Sequence, residues 1–346
     1  MLIVGQGIAG SVLAFQLYNR GYDVQIIEDN YRTSSSKVAA GMWNPVIFKD
    51  IKVSWNADLL LPASERIYTQ MEDVLGSKFY YPKEIVRIFP DVLNANEWDS
   101  VDSRKPLAHY LISEKDNQVE SQLSSPFGYG IVKYSGWLDV SEMLKGVREY
   151  FTSLSRYTLG KFDLNEYDVE QGPVILCTGN ALIESDAFDF VPIIPNKGQV
   201  LVIHAPGLEL DRMVNFGRFI IPLGNDRFKL GGIYEYEDPD PLPTEMTRVL
   251  LLRELAEVYG GKVEVEEHLA GHRPTVNDRK PILGEHPQLS NVYVFNGLGS
   301  KGVMLAPYYA EVFMKHVLDG DKLLKEVDIN RHWLKRHKYQ KQVTEE

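Results

Sequence analysis

The sequence predicts a mixed chain of α/β plus α+β class: a parallel β-α-β unit at its start and a mostly antiparallel sheet further along. Three observations predict it. The first 28 residues read strand, glycine turn, helix, strand, acid. Residues 78–133 carry short alternating runs such as Tyr81 to Ile88, the pattern of half-buried antiparallel strands. Val174-Ile175-Leu176 is wholly apolar, as a strand covered on both faces must be.

Each element has its reason. Leu2-Ile3-Val4 is a short apolar strand that runs into Gly5-Gln6-Gly7-Ile8-Ala9-Gly10. Val12, Leu13, Leu17 and Tyr18 share one face of the helix that follows, closed by Arg20-Gly21-Tyr22. Val24, Ile26 and Ile27 form the second strand, with Glu28 and then Asp29 at its end. This is the context of a dinucleotide fingerprint. Gly5 permits the tight turn, Gly7 lets backbone approach a pyrophosphate, and Gly10 lets helix and strand pack closely. The helix start presents N–H groups to phosphate, and Glu28 accepts from ribose hydroxyls while repelling a 2′-phosphate. The competing reading is a glycine turn used for packing alone, with Glu28 a solvated strand end.

Residues 57–76 have apolar positions at helical spacing, and Trp137 to Phe151 returns to helix. Val200 to Ile203, Arg218 to Ile221 and Phe228 to Ile233 read as strands. Asp238-Pro239-Asp240-Pro241-Leu242-Pro243 is a turn-rich break before a helix from about Thr244 to Tyr259. Tyr293-Val294-Phe295 is a last buried strand and Pro307 to Val317 a last helix. No internal repeat or low-complexity tract interrupts the pattern.

Composition narrows the function. The 346 residues suggest two domains, and 48 Asp+Glu against 37 Lys+Arg, a net charge of −11, oppose a broad phosphate-binding surface, so nucleic acid is not an expected partner. The single cysteine, Cys177, makes an internal disulfide impossible and reads as a buried small hydrophobe; the eight histidines show no ligand spacing, so no metal is expected. No apolar run approaches the ~18–20 residues that span a bilayer. The chain opens directly on its first strand, so the expectation is a cytoplasmic protein without a signal peptide. The basic run Arg331 to Lys338 reads either as a C-terminal helix docked through Trp333 and Leu334 or as a binding site for RNA or an acidic partner.

The fingerprint alone leaves FAD and NAD open. Further segments decide: Ser34 to Met42, Val174 to Gly179, Asn196-Lys197-Gly198-Gln199-Val200, Ile220 to Gly224 with Lys229 to Ile233, Gly271-His272-Arg273-Pro274 with Pro281 to Gly284, and Asn296 to Pro307. In order and spacing this set resembles the FAD-dependent D-amino-acid oxidase/glycine oxidase superfamily. The glycine-serine-lysine loop and the Asn44-Pro45 step also resemble the oxidase half of the bacterial enzyme that modifies wobble uridine in tRNA. The resemblance implies a Rossmann-like FAD-binding domain of glutathione-reductase-like type (1–77, 134–192 and 266–346) interleaved with a substrate domain (78–133 and 193–265).

The resemblance also assigns expected roles. Ser36, Ala39, Ala40, Gly41 and Met42 would line the flavin ring, and Thr178 and Gly179 the adenosine half. Gly297, Leu298, Gly299, Ser300, Lys301, Gly302 and Val303 would bring a helix start to the ring, where its N–H groups favour the anion of reduced flavin; Pro307 fits such a helix only in its first turn. Arg273 matches the position of the carboxylate-binding arginine, its planar fork suited to both oxygens, with a surface ion pair as the alternative. Lys301 would hold positive charge near the ring or help activate oxygen; it and Lys197 read equally well as solvated lysines. His272 reads as packing, and Tyr234 and Tyr236 as pocket-liners or sheet residues. The last glycine loop has no cysteine, so FAD is expected to be non-covalent. The expected activity is oxidation of the C–N bond of an amino acid or secondary amine to an imine, with electrons passing to oxygen or another acceptor. The alternatives are action on a glycine-like group on tRNA uridine, or a flavin-bearing electron-transfer subunit without an amine substrate.

Overall fold

The computed structural model describes residues 1–29, 34–102, 106–114, 122–236 and 238–344. One sheet runs Tyr157–Leu159, Gln25–Glu28, Leu2–Val4, Val174–Leu176, Val292–Asn296, Ile282–Glu285 in spatial order; the first five strands are parallel and the last is an antiparallel edge. The helix Ile8–Asn19 lies against the long helix Gly302–Asp319, joining Val12, Leu13, Leu17, Ala306 and Tyr309 in one core. Parallel strands need both faces covered, and the fully buried Val174 and Ile175 satisfy that rule.

A second sheet of eight strands is antiparallel except where Met213–Asn215 runs parallel to Ile85–Ile88. Its long neighbours Ile193–His204 and Glu264–Val276 pair along most of their length. The helix Glu245–Val258 covers one face, packing Leu251 and Leu255 on Leu201, Ile203 and Leu230. Alternation then turns Val200 to the opposite face, where it packs with Phe219 and Trp137. A small sheet of Met42–Trp43, Gly136–Leu138 and Tyr80–Pro82 completes this region.

Several elements depart from the sequence reading. Trp137 sits in a strand, its ring stacked on Tyr81 with centroids 4.4 Å apart. The helix begins only at Val140, where Asp139 accepts a hydrogen bond from Glu142 N at 3.1 Å and so caps an orphan donor. The run Tyr81 to Ile88 breaks into two strands on different sheets. A helix, Val92–Asp102, stands where only strands were expected; buried Trp98 pins it over Gly130, where a Cβ would strike the indole. Leu334 is 66% exposed, although Trp333 does dock, edge-on to Phe190.

The last helix starts earlier than expected, so Pro307 falls inside it rather than in its first turn. Proline cannot donate to the carbonyl one turn back, which belongs to Val303. Tyr68 of the helix Ala57–Leu75 supplies the missing donor: its hydroxyl reaches Val303 O at 2.7 Å. Burial holds the Tyr68 phenol well above its ordinary pKa, so it stays a donor.

Candidate active site

A cavity of about 780 Å³ runs from the first glycine turn to the start of the last helix. Gly5, Gly7, Ile8 and Ala9 wall one part, with Glu28 and Asp29 beside them at the end of the second strand. Glu28 is buried and accepts a hydrogen bond from Gln6 N at 2.6 Å. Gly7 is the N-cap of the first helix and offers no side chain, which leaves the helix start accessible. A Cβ on Gly7 would lie 2.9 Å from Ser36 Oγ, and one on Gly5 2.7 Å from Cys177 O. Gly10 does not line the cavity; a Cβ there would strike Gly5 O, so it sets the spacing of helix and turn.

Ser36 lies against this turn, accepting from Ile8 N at 3.1 Å. Ala39, Ala40, Gly41 and Met42 line the wall further along, and Gly41 has no room for a side chain beside Leu138 O. Thr178 and Gly179 line it after the strand Val174–Leu176. The loop Leu298, Gly299, Ser300, Lys301, Gly302 and Val303 closes the far end. Gly297 stands outside the lining; its φ of 71° turns the chain against Val276 and Ile282. Buried Cys177 has its thiol pushed up by desolvation, which makes it a packing group.

Arg273 reaches the cavity from the strand Glu264–Val276. It donates to Asn196 Oδ1 at 3.0 Å and to Ile233 O at 3.3 Å, and its guanidinium lies 4.6 Å from the centre of the Tyr234 ring. Among the described residues every hydrogen-bond acceptor it meets is neutral, and burial lowers its pKa. Gly198 makes room for it, since a Cβ there would strike the guanidinium. Tyr234 lines the cavity; Tyr236 is outside the lining, and both are 55% exposed.

Lys301 donates to Ser54 Oγ at 3.1 Å. Burial first, then Arg279, Lys280 and Lys52, push its ammonium below the ordinary lysine range. Lys197 is a different case: wholly buried, it pairs with Asp238 at 2.7 Å and is neither solvated nor in the cavity wall. Asp238 O also meets His272 Nε2 at 3.0 Å, so Lys197 and His272 together hold Asp238 in place.

Sequence reasoning gave no site role to Asn180, which lines the wall, or to Asn196 beside Arg273. Asn196 holds Arg273 through Oδ1 while its Nδ2 is buried without a partner, and Thr178 Oγ1 and Asn180 Oδ1 are orphaned in the same way. Three such atoms on one cavity wall are what a polar ligand would satisfy. The signal for Asn196 was its place two residues before Gly198, the one neighbour small enough for Arg273. Among the described residues no group of His, Cys, Asp and Glu could hold a metal, and no helix is long and apolar enough to cross a membrane.

A glycine turn at a helix start, an acid closing the next strand and a long cavity running on from both are the parts that a dinucleotide-binding site requires. The chain belongs to the FAD dependent oxidoreductase (DAO) family, whose model matches residues 1–315. The tRNA 5-methylaminomethyl-2-thiouridine biosynthesis bifunctional protein MnmC of Acinetobacter baylyi is 23% identical over 348 residues, covering 91% of this chain and 52% of that protein. The chain thus spans about half the length of this relative. Iminodiacetate oxidase from Chelativorans sp. BNC1 superposes with a TM-score of 0.77 at 19% identity, covering 94% of this chain and 98% of that one. Glycine oxidase from Bacillus cereus does so at 0.75 and 20%, covering 93% and 95%. At these identities the structural likeness concerns the fold.

The residues present fit FAD, on which the family depends. The glycine cradle a Cβ would fill, the acid at the strand end and the orphaned Thr178, Asn180 and Asn196 atoms are groups of the kind that a bound dinucleotide would satisfy.

Proposed function

We propose that this chain oxidises the carbon–nitrogen bond of an amino acid or secondary amine to the imine, which water then hydrolyses. The observation that carries the reading is Arg273: a partly buried guanidinium in the cavity wall whose hydrogen bonds, among the described residues, all go to neutral oxygens. Glu235 acts on this cation electrostatically but bonds to Gln199 and Thr247, so the carboxylate of an amino acid would supply the bidentate partner that Arg273 lacks among the described residues. FAD, held without a covalent link, supplies the two-electron acceptor, whose electrons pass on to oxygen or another acceptor.

The chain's own groups then have defined tasks. Gly5, Gly7, Ile8 and Ala9 receive the phosphates at the helix start, and Glu28 with Asp29 the ribose. Ser36, Ala39, Ala40, Gly41 and Met42 border the flavin, Thr178 and Gly179 the adenosine side. Gly297 turns the loop that carries Leu298, Gly299, Ser300, Lys301, Gly302 and Val303 to the ring. Arg273 grips the substrate carboxylate, and Tyr234 roofs that guanidinium. The division into a Rossmann-like cofactor domain (1–77, 134–192, 266–346) interleaved with a substrate domain (78–133, 193–265) is part of this reading.

An anaerobic screen of D-amino acids, glycine, sarcosine and proline tests it: loss of flavin absorbance with at least one amine is expected, and no bleaching by any of them counts against it. The likeness to MnmC favours a second reading, action on a glycine-like group attached to tRNA uridine. A tRNA complex that survives physiological salt, with free amines inert, would select it.

A further inference from the structure

The cavity wall carries its charges in two separate sets. Its carboxylates, Glu28, Asp29, Asp163, Glu184 and Asp186, come from segments that follow Gln25–Glu28, Tyr157–Leu159 and Val174–Leu176 or close the first of them. Among the described residues its cationic side chains are Arg218, Arg273 and Lys301. Arg218 is already neutralised by Glu254, 2.6 Å away. Arg273 and Lys301 bond only to neutral oxygens among the described residues. They arise from adjoining segments, because Gly299 of the Lys301 loop packs beside Pro274 and Thr275, the residues that follow Arg273.

One carboxylate can neutralise one of these cations. We propose that the substrate is a dianionic amine, with a carboxylate on each side of the oxidised C–N bond or a second one on its side chain: Arg273 takes one carboxylate and Lys301 the other. The proposal rests on the amine-oxidation reading and adds the substrate class. Lys301 suits the second anion because it donates a single bond, to Ser54 Oγ, and keeps two further N–H donors. Burial first, and then Arg279, Lys280 and Lys52, the last paired with Asp50, disfavour its charge, an effect an incoming anion would oppose. A neutral or monoanionic substrate would leave Lys301 without an anionic partner among the described residues.

The test uses the flavin-loaded protein and two redox-inert ligands, thiodiacetate and (methylthio)acetate, titrated through the change in the flavin spectrum. Charged hydrogen bonds of this kind carry roughly tenfold or more in affinity, so thiodiacetate should bind at least about tenfold more tightly. Lys301→Met should erase that preference while leaving (methylthio)acetate within about twofold, and Lys301→Arg should restore most of it. Equal affinities for the two ligands, or a preference that survives Lys301→Met, overturn the proposal. So does a Lys301→Met protein in which only the flavin reduction potential has moved, since Lys301 then serves the ring. Anaerobic reduction by iminodiacetate and sarcosine separates the two readings. If neither amine bleaches the flavin while the Lys301-dependent preference holds, amine oxidation falls and the dianion site stands. If both bleach it alike and the inert pair binds equally, amine oxidation stands and the dianion site falls.

Discussion

Replacing Tyr68 with phenylalanine removes one oxygen atom from the centre of the molecule, and the structure fixes what that should cost. The hydroxyl donates to Val303 O at 2.7 Å, and no backbone donor can take its place because residue 307 is proline. The phenol is fully buried, so water does not reach the freed carbonyl. A buried acceptor left unpaired costs about 1–3 kcal/mol. With about 2.1 cal/mol/K per residue of unfolding entropy, 346 residues give ~0.7 kcal/mol/K, so the melting temperature should fall by roughly 1.5–4 °C. The assay is thermal unfolding by circular dichroism at a saturating, fixed FAD concentration, because ligand binding otherwise moves the midpoint. Val303 also lines the cavity, so FAD affinity measured by flavin fluorescence should weaken in the same variant. A melting temperature within about half a degree of the parent would refute the argument that Pro307 makes Val303 dependent on Tyr68.

Other consequences are equally specific. Gly198→Ala should raise the KM for carboxylate substrates by roughly tenfold or more while FAD content is unchanged, because the new Cβ displaces the Arg273 guanidinium without removing its charge. An unchanged KM would mean that Arg273 is not gripping substrate. Gly10→Ala drives a Cβ into Gly5 O and should lower the flavin-to-protein ratio of the purified protein; full occupancy would contradict the close packing. His332 has its pKa pushed down to about 4 by burial, with an unpartnered Nε2. The unfolded chain takes up that proton near pH 6.5 and the folded one only near 4, so this group's contribution to stability is lost as pH falls across that window and is constant below it. Urea midpoints for the parent and His332→Gln should therefore diverge between neutral pH and pH 4.5, the parent falling more; parallel curves would rule His332 out.

Some of this molecule was legible in its sequence because the governing forces are local. Gly5, Gly7 and Gly10 announce their turn through the need for positive φ or close approach, the Leu2–Val4 strand through an unbroken apolar run, and the Gln25–Glu28 strand through Val24, Ile26 and Ile27 ahead of an acid. Other features depend on partners far along the chain. The helix Val92–Asp102 has little apolar periodicity and stands because Trp98 is buried over Gly130. Pro307 looked like a helix start because nothing near it in sequence reveals Tyr68. Lys197 read as equally ready for solvent, yet burial beside Asp238 decides its state. The orphaned Asn196, Thr178 and Asn180 atoms were invisible for the same reason: a polar residue's lack of a partner is a property of the packed wall.

The proposed oxidation requires one cofactor in the cavity between Glu28 and Lys301, held without a covalent bond. Stoichiometry on the purified chain, incubated with FAD, desalted and then precipitated with acid, measures this directly. One FAD per chain, all of it in the supernatant, is the predicted result. A chain that emerges colourless from desalting, or a pellet that keeps the flavin, would contradict it.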